Sequence, residues 1–150
     1  MRIVLQRVRA ASVAIAGELV GAIDQGLLVL VGIADGDDDE DLAWMVGKLV
    51  RLRVFPDDAG QMNLSVIDVG GGILAISQFT LFASTAKGNR PSYLAAARPE
   101  VAEPAYLRFV EGLTAALGRP IATGRFAADM QVSLINDGPV TLVIDSKRRE

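Results

Sequence analysis

Residues 73–82 read Ile-Leu-Ala-Ile-Ser-Gln-Phe-Thr-Leu-Phe and follow three consecutive glycines. The apolar first half is typical of a buried β-strand, but the second half carries three hydrogen-bonding side chains, Ser77, Gln78 and Thr80. A polar group that is buried without a partner costs about 1 to 3 kcal/mol. If the strand continues, Gln78 and Thr80 share one face while Ser77 and Phe79 share the other. The stretch is therefore either a capped strand end with a satisfied core glutamine or the wall of a polar site.

The composition restricts the chemistry that the chain can perform. The 150 residues include no histidine and no cysteine. This excludes disulfides, cysteine nucleophiles, the usual zinc sites and Ser-His-Asp triads. Catalysis must use hydroxyls, carboxylates, lysine, backbone groups or the substrate itself, and we expect neither a metal nor a cofactor. The net charge of −3 argues against a protein that holds long nucleic acid through many phosphate contacts, although it allows one that holds a short end.

The length and hydrophobicity indicate one globular domain spanning residues 1–150. With 51% hydrophobic residues, the chain is large enough to bury a single core. The longest strongly apolar run, residues 27–34, is much too short to cross a membrane, and the first residues lack the pattern of a signal peptide. We therefore expect a soluble, cytoplasmic protein.

Hydrophobic periodicity predicts a mixed α/β chain. The predicted strands are residues 1–9, 12–15, 19–23, 27–33, 73–82, 121–123, 130–135 and 140–145. The predicted helices are residues 40–53 and 103–117, with a shorter helical piece at 92–97. The run 27–33 is apolar on both faces, so we expect a central strand that is covered on two sides.

An acidic loop precedes the first predicted helix. Residues 35–41 contain five aspartates and a glutamate, but the glycine and the final glutamate of a calcium loop are not at the required positions. We interpret the loop as a source of an N-cap and of first-turn negative charge. We assign the basic residues of the helix to a solvated face rather than to a nucleic-acid patch. These residues are Lys48, Arg51 and Arg53.

A polar loop follows the central stretch. Ser84 and Lys87 have the Ser-x-x-Lys spacing of serine acyl-enzymes, which requires a helix to bring the amine to the hydroxyl. Gly88 and Pro91 favour an irregular loop instead. Lys87 and Arg90 are then interpreted as anion contacts or as ordinary surface residues.

The segment Asn136-Asp137-Gly138-Pro139 between the last two predicted strands is a strong turn signal. Its proline is compatible with a cis bond, because an X-Pro bond costs only about 0.5 to 1 kcal/mol in that form. A cis bond would direct the Gly138 carbonyl away from the strand ladder. An ordinary hairpin turn is the alternative.

Four motifs occur in order along the chain: Ser-Gln-Phe-Thr-Leu at 77–81, Lys-Gly-Asn-Arg-Pro-Ser-Tyr at 87–93, Gly-Arg-Phe-Ala-Ala-Asp-Met at 124–130 and Asn-Asp-Gly-Pro-Val-Thr at 136–141. Together they closely resemble the D-aminoacyl-tRNA deacylases of the bacterial and eukaryotic type. The resemblance runs the full length of the chain. One departure is Ala127, which stands where that family usually has glycine.

The resemblance implies a single α/β domain of β/β/α layers with mixed sheets, in a homodimer whose active site lies at the subunit interface. It implies hydrolysis of the ester between a D-amino acid and the 3′-terminal adenosine of tRNA, and of glycine mischarged on tRNA-Ala. L-aminoacyl-tRNA is rejected, because in that family a cis Gly-Pro pair enters from the partner subunit and occupies the place of an L side chain. This activity is chiral proofreading in translation quality control.

The resemblance also assigns residues to roles. Thr80, Ser77 and Gln78 are the catalytic candidates. The substrate-binding candidates are Phe79, Phe126, Met130, Asn136, Gly138 and Pro139. Lys87 and Arg90 are assigned weak tRNA contacts.

The absence of histidine is compatible with this reaction. An aminoacyl ester is already activated, so an enzyme can hydrolyse it by orienting water and stabilising the oxyanion. The ribose 2′-hydroxyl of the substrate is available for acid–base work. Thr80 is the obvious nucleophile, but no base is visible for it, so we favour a structural or water-aligning role. The alternatives are a non-catalytic binder of a nucleotide or RNA end, and a general esterase built on Ser84 and Lys87.

Overall fold

The computed structural model describes residues 1–149, which form eight strands and two α-helices. The strands are β1 (Arg2–Ile15), β2 (Glu18–Ile23), β3 (Gly26–Gly32), β4 (Phe55–Pro56), β5 (Met62–Leu64), β6 (Gly72–Ser77), β7 (Ala122–Thr123) and β8 (Gln131–Asp145). The helices are α1 (Asp39–Arg51) and α2 (Pro99–Leu117). No helix in the described range is long and apolar enough to cross a membrane.

Six of the strands form one mixed sheet. The order is β2-β1-β3-β6-β7, and β8 pairs with the other edge of β1. β1 is antiparallel to its three neighbours, whereas β3, β6 and β7 run parallel to one another. The sheet curls until β2 packs against β7, so closely that a Cβ on Gly21 would lie 2.6 Å from the Thr123 carbonyl oxygen.

Both faces of the sheet are buried at β3 and β6, which explains the uninterrupted apolar sequence of these two strands. The larger core lies between the sheet and the two helices, and includes Phe55, Phe109 and Leu113. A smaller core lies inside the curl around Val13 and Leu74. The predicted α/β class is confirmed, because the curl supplies two β layers and the helices supply the third. The two-sided burial predicted for residues 27–33 is confirmed as well.

The acidic loop caps α1, as the sequence predicts. The Asp38 side chain accepts a hydrogen bond from the Asp41 amide, and the Asp41 side chain accepts one from the Asp38 amide. This reciprocal capping box satisfies two amides that a helix start otherwise leaves free. The Asp41 carboxylate is 3% exposed and also pairs with the Lys147 ammonium.

We expect Asp41→Asn to destabilise the protein by about 1 kcal/mol at pH 7. Burial alone raises the pKa of Asp41, but the Lys147 ammonium, the Asp38 amide and the Ser146 hydroxyl outweigh it and lower the pKa from 3.8 to about 2. A carboxylate with a lowered pKa stabilises the fold above pH 3.8, and this contribution is lost as the pH falls towards 2. Urea unfolding should show that Asp41→Asn has a lower free energy of unfolding than the wild type at neutral pH. The difference between the two proteins should be smaller near pH 2.5. Asp39→Asn, at a carboxylate that is 85% exposed, is the matched control.

The predicted strand 73–82 is too long. β6 ends at Ser77, and Phe79–Phe82 forms a 3₁₀ turn. The Gln78 amide donates the last ladder bond to the Val31 carbonyl at 2.7 Å, and β3 ends one residue later, so the chain has no partner strand to follow. The predicted sharing of a face by Gln78 and Thr80 along a continuous strand is therefore wrong.

Two predictions in the second half of the chain are also wrong. Residues 92–97 are not helical; they hold two isolated bridges, Ser84 to Ser92 and Ala34 to Ala96, with a turn between them. α2 begins at Pro99, one turn earlier than predicted. Proline is favourable at the first helical position, because the N–H that it lacks would have no acceptor within the helix there.

The ordinary hairpin turn, which was the alternative for residues 136–139, is absent. β8 continues through this segment as one strand that pairs with β1 on both sides of it. Long-range pairing with β1 thus overrides the local turn signal.

Candidate active site

A cavity of about 590 Å³ opens at the carboxyl ends of the parallel strands β3 and β6. Ligands in α/β sheets commonly bind at such strand ends. The cavity wall contains five of the residues that the sequence predicts. These residues are Ser77, Gln78, Phe79, Phe126 and Met130.

The 3₁₀ turn after β6 brings two polar side chains together. The Gln78 side-chain amide donates a hydrogen bond to the Thr80 hydroxyl oxygen. The hydroxyl hydrogen of Thr80 therefore points away from Gln78 and is available to another acceptor. Gly32 gives the turn its space, because a Cβ there would lie 3.1 Å from both the Gln78 carbonyl oxygen and the Leu81 side chain.

Aromatic rings form two walls of the cavity. Phe79 is 56% exposed and meets Tyr93 edge to face, with ring centroids 5.1 Å apart. On the other wall, Phe126 lies 6.2 Å from Tyr106. The Tyr106 hydroxyl donates to the Ala75 carbonyl at 2.9 Å, and burial raises the pKa of Tyr106 to about 12. Tyr106 therefore stays protonated near neutral pH and acts as a structural donor.

Two charged residues of the cavity wall were not singled out from the sequence. Asp129 and Arg98 line the cavity and are exposed. Asp129 lies in the motif at 124–130 and could have been found there, whereas Arg98 has no sequence signal apart from preceding Pro99. The neighbouring Ala127 has φ +60, a left-handed conformation that favours glycine, which agrees with the usual glycine of the resembling family at this position.

The segment 137–140, here called the wedge, protrudes from β8. Gln6 pairs with Thr141 and Val8 with Asn136, so the four wedge residues stand opposite one residue of β1. The Gly138-Pro139 peptide bond is cis, as the resemblance implies, and both residues are exposed.

Arg7 holds the base of the wedge. It is only 8% exposed and donates to the Val54 carbonyl at 2.6 Å and to the Asp137 carbonyl at 3.2 Å. It also pairs with the Asp137 carboxylate at 3.3 Å. The neck of the wedge is closed where the Asn136 side-chain amide donates to the Thr141 hydroxyl at 3.1 Å. The backbone of the wedge is therefore fixed although its tip is exposed.

The predicted site residues fall into separate groups within one chain. Asn136, Gly138 and Pro139 do not line the cavity, and neither does the Thr80 side chain. Lys87 and Arg90 are exposed on the loop beyond the 3₁₀ turn and are also outside the cavity wall. Four of the predicted binding and catalytic residues thus lie apart from the cavity that holds the other five.

The loop geometry does not support the Ser-x-x-Lys esterase. Ser84 and Lys87 are both exposed, and no helix connects them. The Ser84 backbone instead pairs with Ser92 in both directions, at 2.7 and 2.9 Å.

The model of the family described as D-Tyr-tRNA(Tyr) deacylase matches residues 4–145. The chain belongs to this family. Among its relatives, the D-aminoacyl-tRNA deacylase of Dechloromonas aromatica is 63% identical over 147 residues and 98% of each chain. The D-aminoacyl-tRNA deacylase of Opitutus terrae is 58% identical over 150 residues and the whole of both chains. The family resemblance read from the four motifs is confirmed.

Solved structures agree with this deacylase fold. One, titled c-Myc DNA Unwinding Element Binding Protein, is 44% identical, covers 97% of this chain and 98% of its own, and superposes with a TM-score of 0.92. Another, titled as a probable eukaryotic D-amino acid tRNA deacylase, is 19% identical and covers 95% of this chain and 97% of its own, with a TM-score of 0.83. The second likeness shows the fold alone.

Proposed function

We propose that this chain hydrolyses the ester bond of D-aminoacyl-tRNA. Water adds to the ester carbonyl, the bond to the ribose 3′-oxygen breaks, and that oxygen takes up a proton. The products are the free D-amino acid and tRNA. The observation that carries the proposal is the placement of Ser77, Gln78 and Phe79 on the wall of the cavity, in a chain that belongs to the deacylase family.

The 3₁₀ turn supplies donors for the developing oxyanion. Its first amides, those of Phe79 and Thr80, have no acceptor within the turn because they precede its first internal bond. Phe79 lies on the cavity wall, so its amide is close to a bound ester. Fixed donors of this kind stabilise charge as it forms and need little reorganisation.

Thr80 has a structural or water-aligning role, through its hydrogen bond with Gln78 on the cavity wall, rather than that of a nucleophile. Its oxygen accepts from Gln78, no carboxylate or lysine among the described residues is hydrogen-bonded to it, and the sequence has no histidine. We therefore assign proton transfer to the ribose 2′-hydroxyl of the substrate.

We expect Thr80→Ala to retain deacylation within about a hundredfold of the wild type, the range for loss of one transition-state donor. Single-turnover release of a labelled D-amino acid measures the effect, and Thr80→Ser is the conservative control. Complete loss in a folded Thr80→Ala protein contradicts the alignment role. An acyl-enzyme trapped in the wild type would identify Thr80 as the nucleophile.

The separation of the wedge from the cavity supports a homodimer in which each wedge enters the cavity of the partner subunit. Among residues 1–149, β8 pairs with β1 alone, so within this range one edge of a fifteen-residue strand lies open. Exposed apolar side chains lie along this strand, among them Leu134 at 37% and Ile135 at 59% exposure. Long open edges and exposed apolar patches in native proteins mark interaction surfaces.

In this arrangement the wedge reads the handedness of the substrate. The main chain of Gly138 and Pro139 occupies the place that an L side chain needs, so only hydrogen or a D substituent fits beside it. Glycine, including glycine mischarged on tRNA-Ala, is therefore accepted. The reaction belongs to cytoplasmic translation quality control, where it removes esters of the wrong chirality.

Incubation with D- and L-aminoacylated tRNA tests the proposal. We expect release of the D-amino acid, with the L ester protected. A non-catalytic binder of the RNA end would protect both esters, and this outcome would overturn the proposal. Glycyl-tRNA-Ala in a parallel reaction tests the acceptance of glycine.

A further inference from the structure

Two adjoining grooves on α1 carry a concentration of positive charge. Their volumes are about 510 and 370 Å³. Among the described residues that line them, Asp145 is the single carboxylate and five side chains are basic. The five form the basic face: Arg2, Lys48, Arg51, Arg53 and Arg148. In a chain with a net charge of −3, this face differs in sign from the molecule as a whole.

Most of these cations lack an acidic partner. Arg2 pairs with the Asp145 carboxylate at 2.9 Å. Across residues 1–149, the other four members of the basic face form no ion pair with a carboxylate. Clustered like charges repel one another, and a polyanion that binds to them removes this repulsion.

Trp44 organises the face, because it lines both grooves. The Lys48 ammonium lies 5.4 Å from the centre of its ring, and the Arg149 guanidinium lies 4.8 Å from it. Cations at this distance over an indole ring are attracted to its face. The ring therefore holds basic side chains from α1 and from the end of the chain on one surface.

The basic face adjoins the catalytic turn through Arg2. The Arg2 guanidinium donates to the Leu81 carbonyl at 2.9 Å and lies 4.8 Å from the centre of the Phe82 ring. Phe79, at the start of the same 3₁₀ turn, lines the cavity. A 3₁₀ turn rises about 2 Å per residue, so roughly 6 Å of chain separates the two sites along the turn.

We propose that the basic face binds the sugar-phosphate backbone of the tRNA that precedes the 3′-terminal adenosine. This inference rests on the proposed deacylase function and assigns the part of the substrate outside the cavity. Phosphate contacts of this kind position nucleic acid without reading its sequence. Lys48, Arg51 and Arg53 are exposed, as the solvated face assigned from the sequence requires. The proposal adds a phosphate backbone as the partner of this face, which Arg2 and Arg148 also line.

The test compares a D-aminoacyl-tRNA with the corresponding D-aminoacyl-adenosine, which lacks the phosphates. For the double variant Lys48→Gln/Arg51→Gln, we expect the ratio of kcat/KM for the tRNA to that for the adenosine to fall about tenfold. The salt dependence of kcat/KM for the tRNA should become shallower by about two in log-log slope, because two phosphate contacts are lost. The control is Ala115→Glu/Ala116→Glu, which makes the same change in net charge at exposed positions of α2.

The outcomes separate the two proposals. If the wild type releases no D-amino acid from tRNA, the proposed function fails. The second outcome is that the wild type releases the D-amino acid, but the double variant and the control variant differ by less than twofold in the ratio of kcat/KM values and in the salt slope. In that case the basic face is not a tRNA site. Duplex DNA that inhibits as strongly as uncharged tRNA of equal phosphate number would show a general polyanion surface and would also overturn the assignment.

Discussion

Gly138→Ala should lower kcat/KM for D-aminoacyl-tRNA about a hundredfold, because a displacement of about 1 Å near the reacting group has an effect of this size. Gly138 has φ +120, a conformation that L residues rarely adopt. An added Cβ would lie 2.7 Å from Arg7 Nη2. Arg7 has little freedom to move aside, since its other nitrogens hold Val54 and Asp137. The wedge must shift instead, and steady-state deacylation kinetics measure the result.

Gly60→Ala is the matched control for this prediction. Gly60 also has positive φ, but an added Cβ there meets no atom within 4 Å. Both variants therefore gain the same methyl group in an unfavourable conformation, and both lose some stability. An activity of Gly138→Ala within threefold of that of Gly60→Ala would show that the wedge has no part in the reaction.

Two inactive variants should restore activity when they share a dimer. Ser77→Phe places a large ring in the cavity, whereas Gly138→Ala damages the wedge. In a heterodimer of the two, the intact cavity of one chain receives the intact wedge of the other. Random assortment makes half of the dimers mixed, and each mixed dimer has one complete site of two. We therefore expect about a quarter of the wild-type activity after co-refolding equal amounts.

The control for the mixing experiment pairs two variants with the same defect. Gly138→Ala mixed with Gly138→Val contains no intact wedge and should stay inactive. If the mixture of Ser77→Phe and Gly138→Ala shows only the sum of its separate activities, while native mass spectrometry confirms mixed dimers, the site is not shared between subunits.

The sequence predicted those parts of the fold that depend on local patterns. The strands 27–33 and 73–77, the cap of α1 and most of both helices follow from hydrophobic periodicity and capping chemistry. The continuity of β8 could not be predicted from local patterns. The turn signal at 136–139 competes with pairing to β1, which lies far away in the sequence. The 3₁₀ turn was missed for a similar reason, since the sequence does not show where the neighbouring β3 ends.

The candidate site was predicted in composition but not in arrangement. The motif residues Ser77, Gln78 and Phe126 do meet at one cavity. Arg7 carries no sequence signal for its role, because its hold on the wedge depends on contacts with Val54 and Asp137. The basic face was equally hidden, because its members come from β1, α1 and the end of the chain.

The open tip of the wedge has a consequence for the behaviour of the protein on dilution. In the proposed homodimer, where the site is divided between two copies, mass action makes specific activity fall once the protomer concentration drops below the dissociation constant of the pair. In the proposed arrangement, a single subunit would have a cavity but no partner wedge to exclude L-aminoacyl-tRNA. In the proposed function, loss of activity on dissociation would therefore protect correctly charged tRNA from hydrolysis by a cavity that has no wedge.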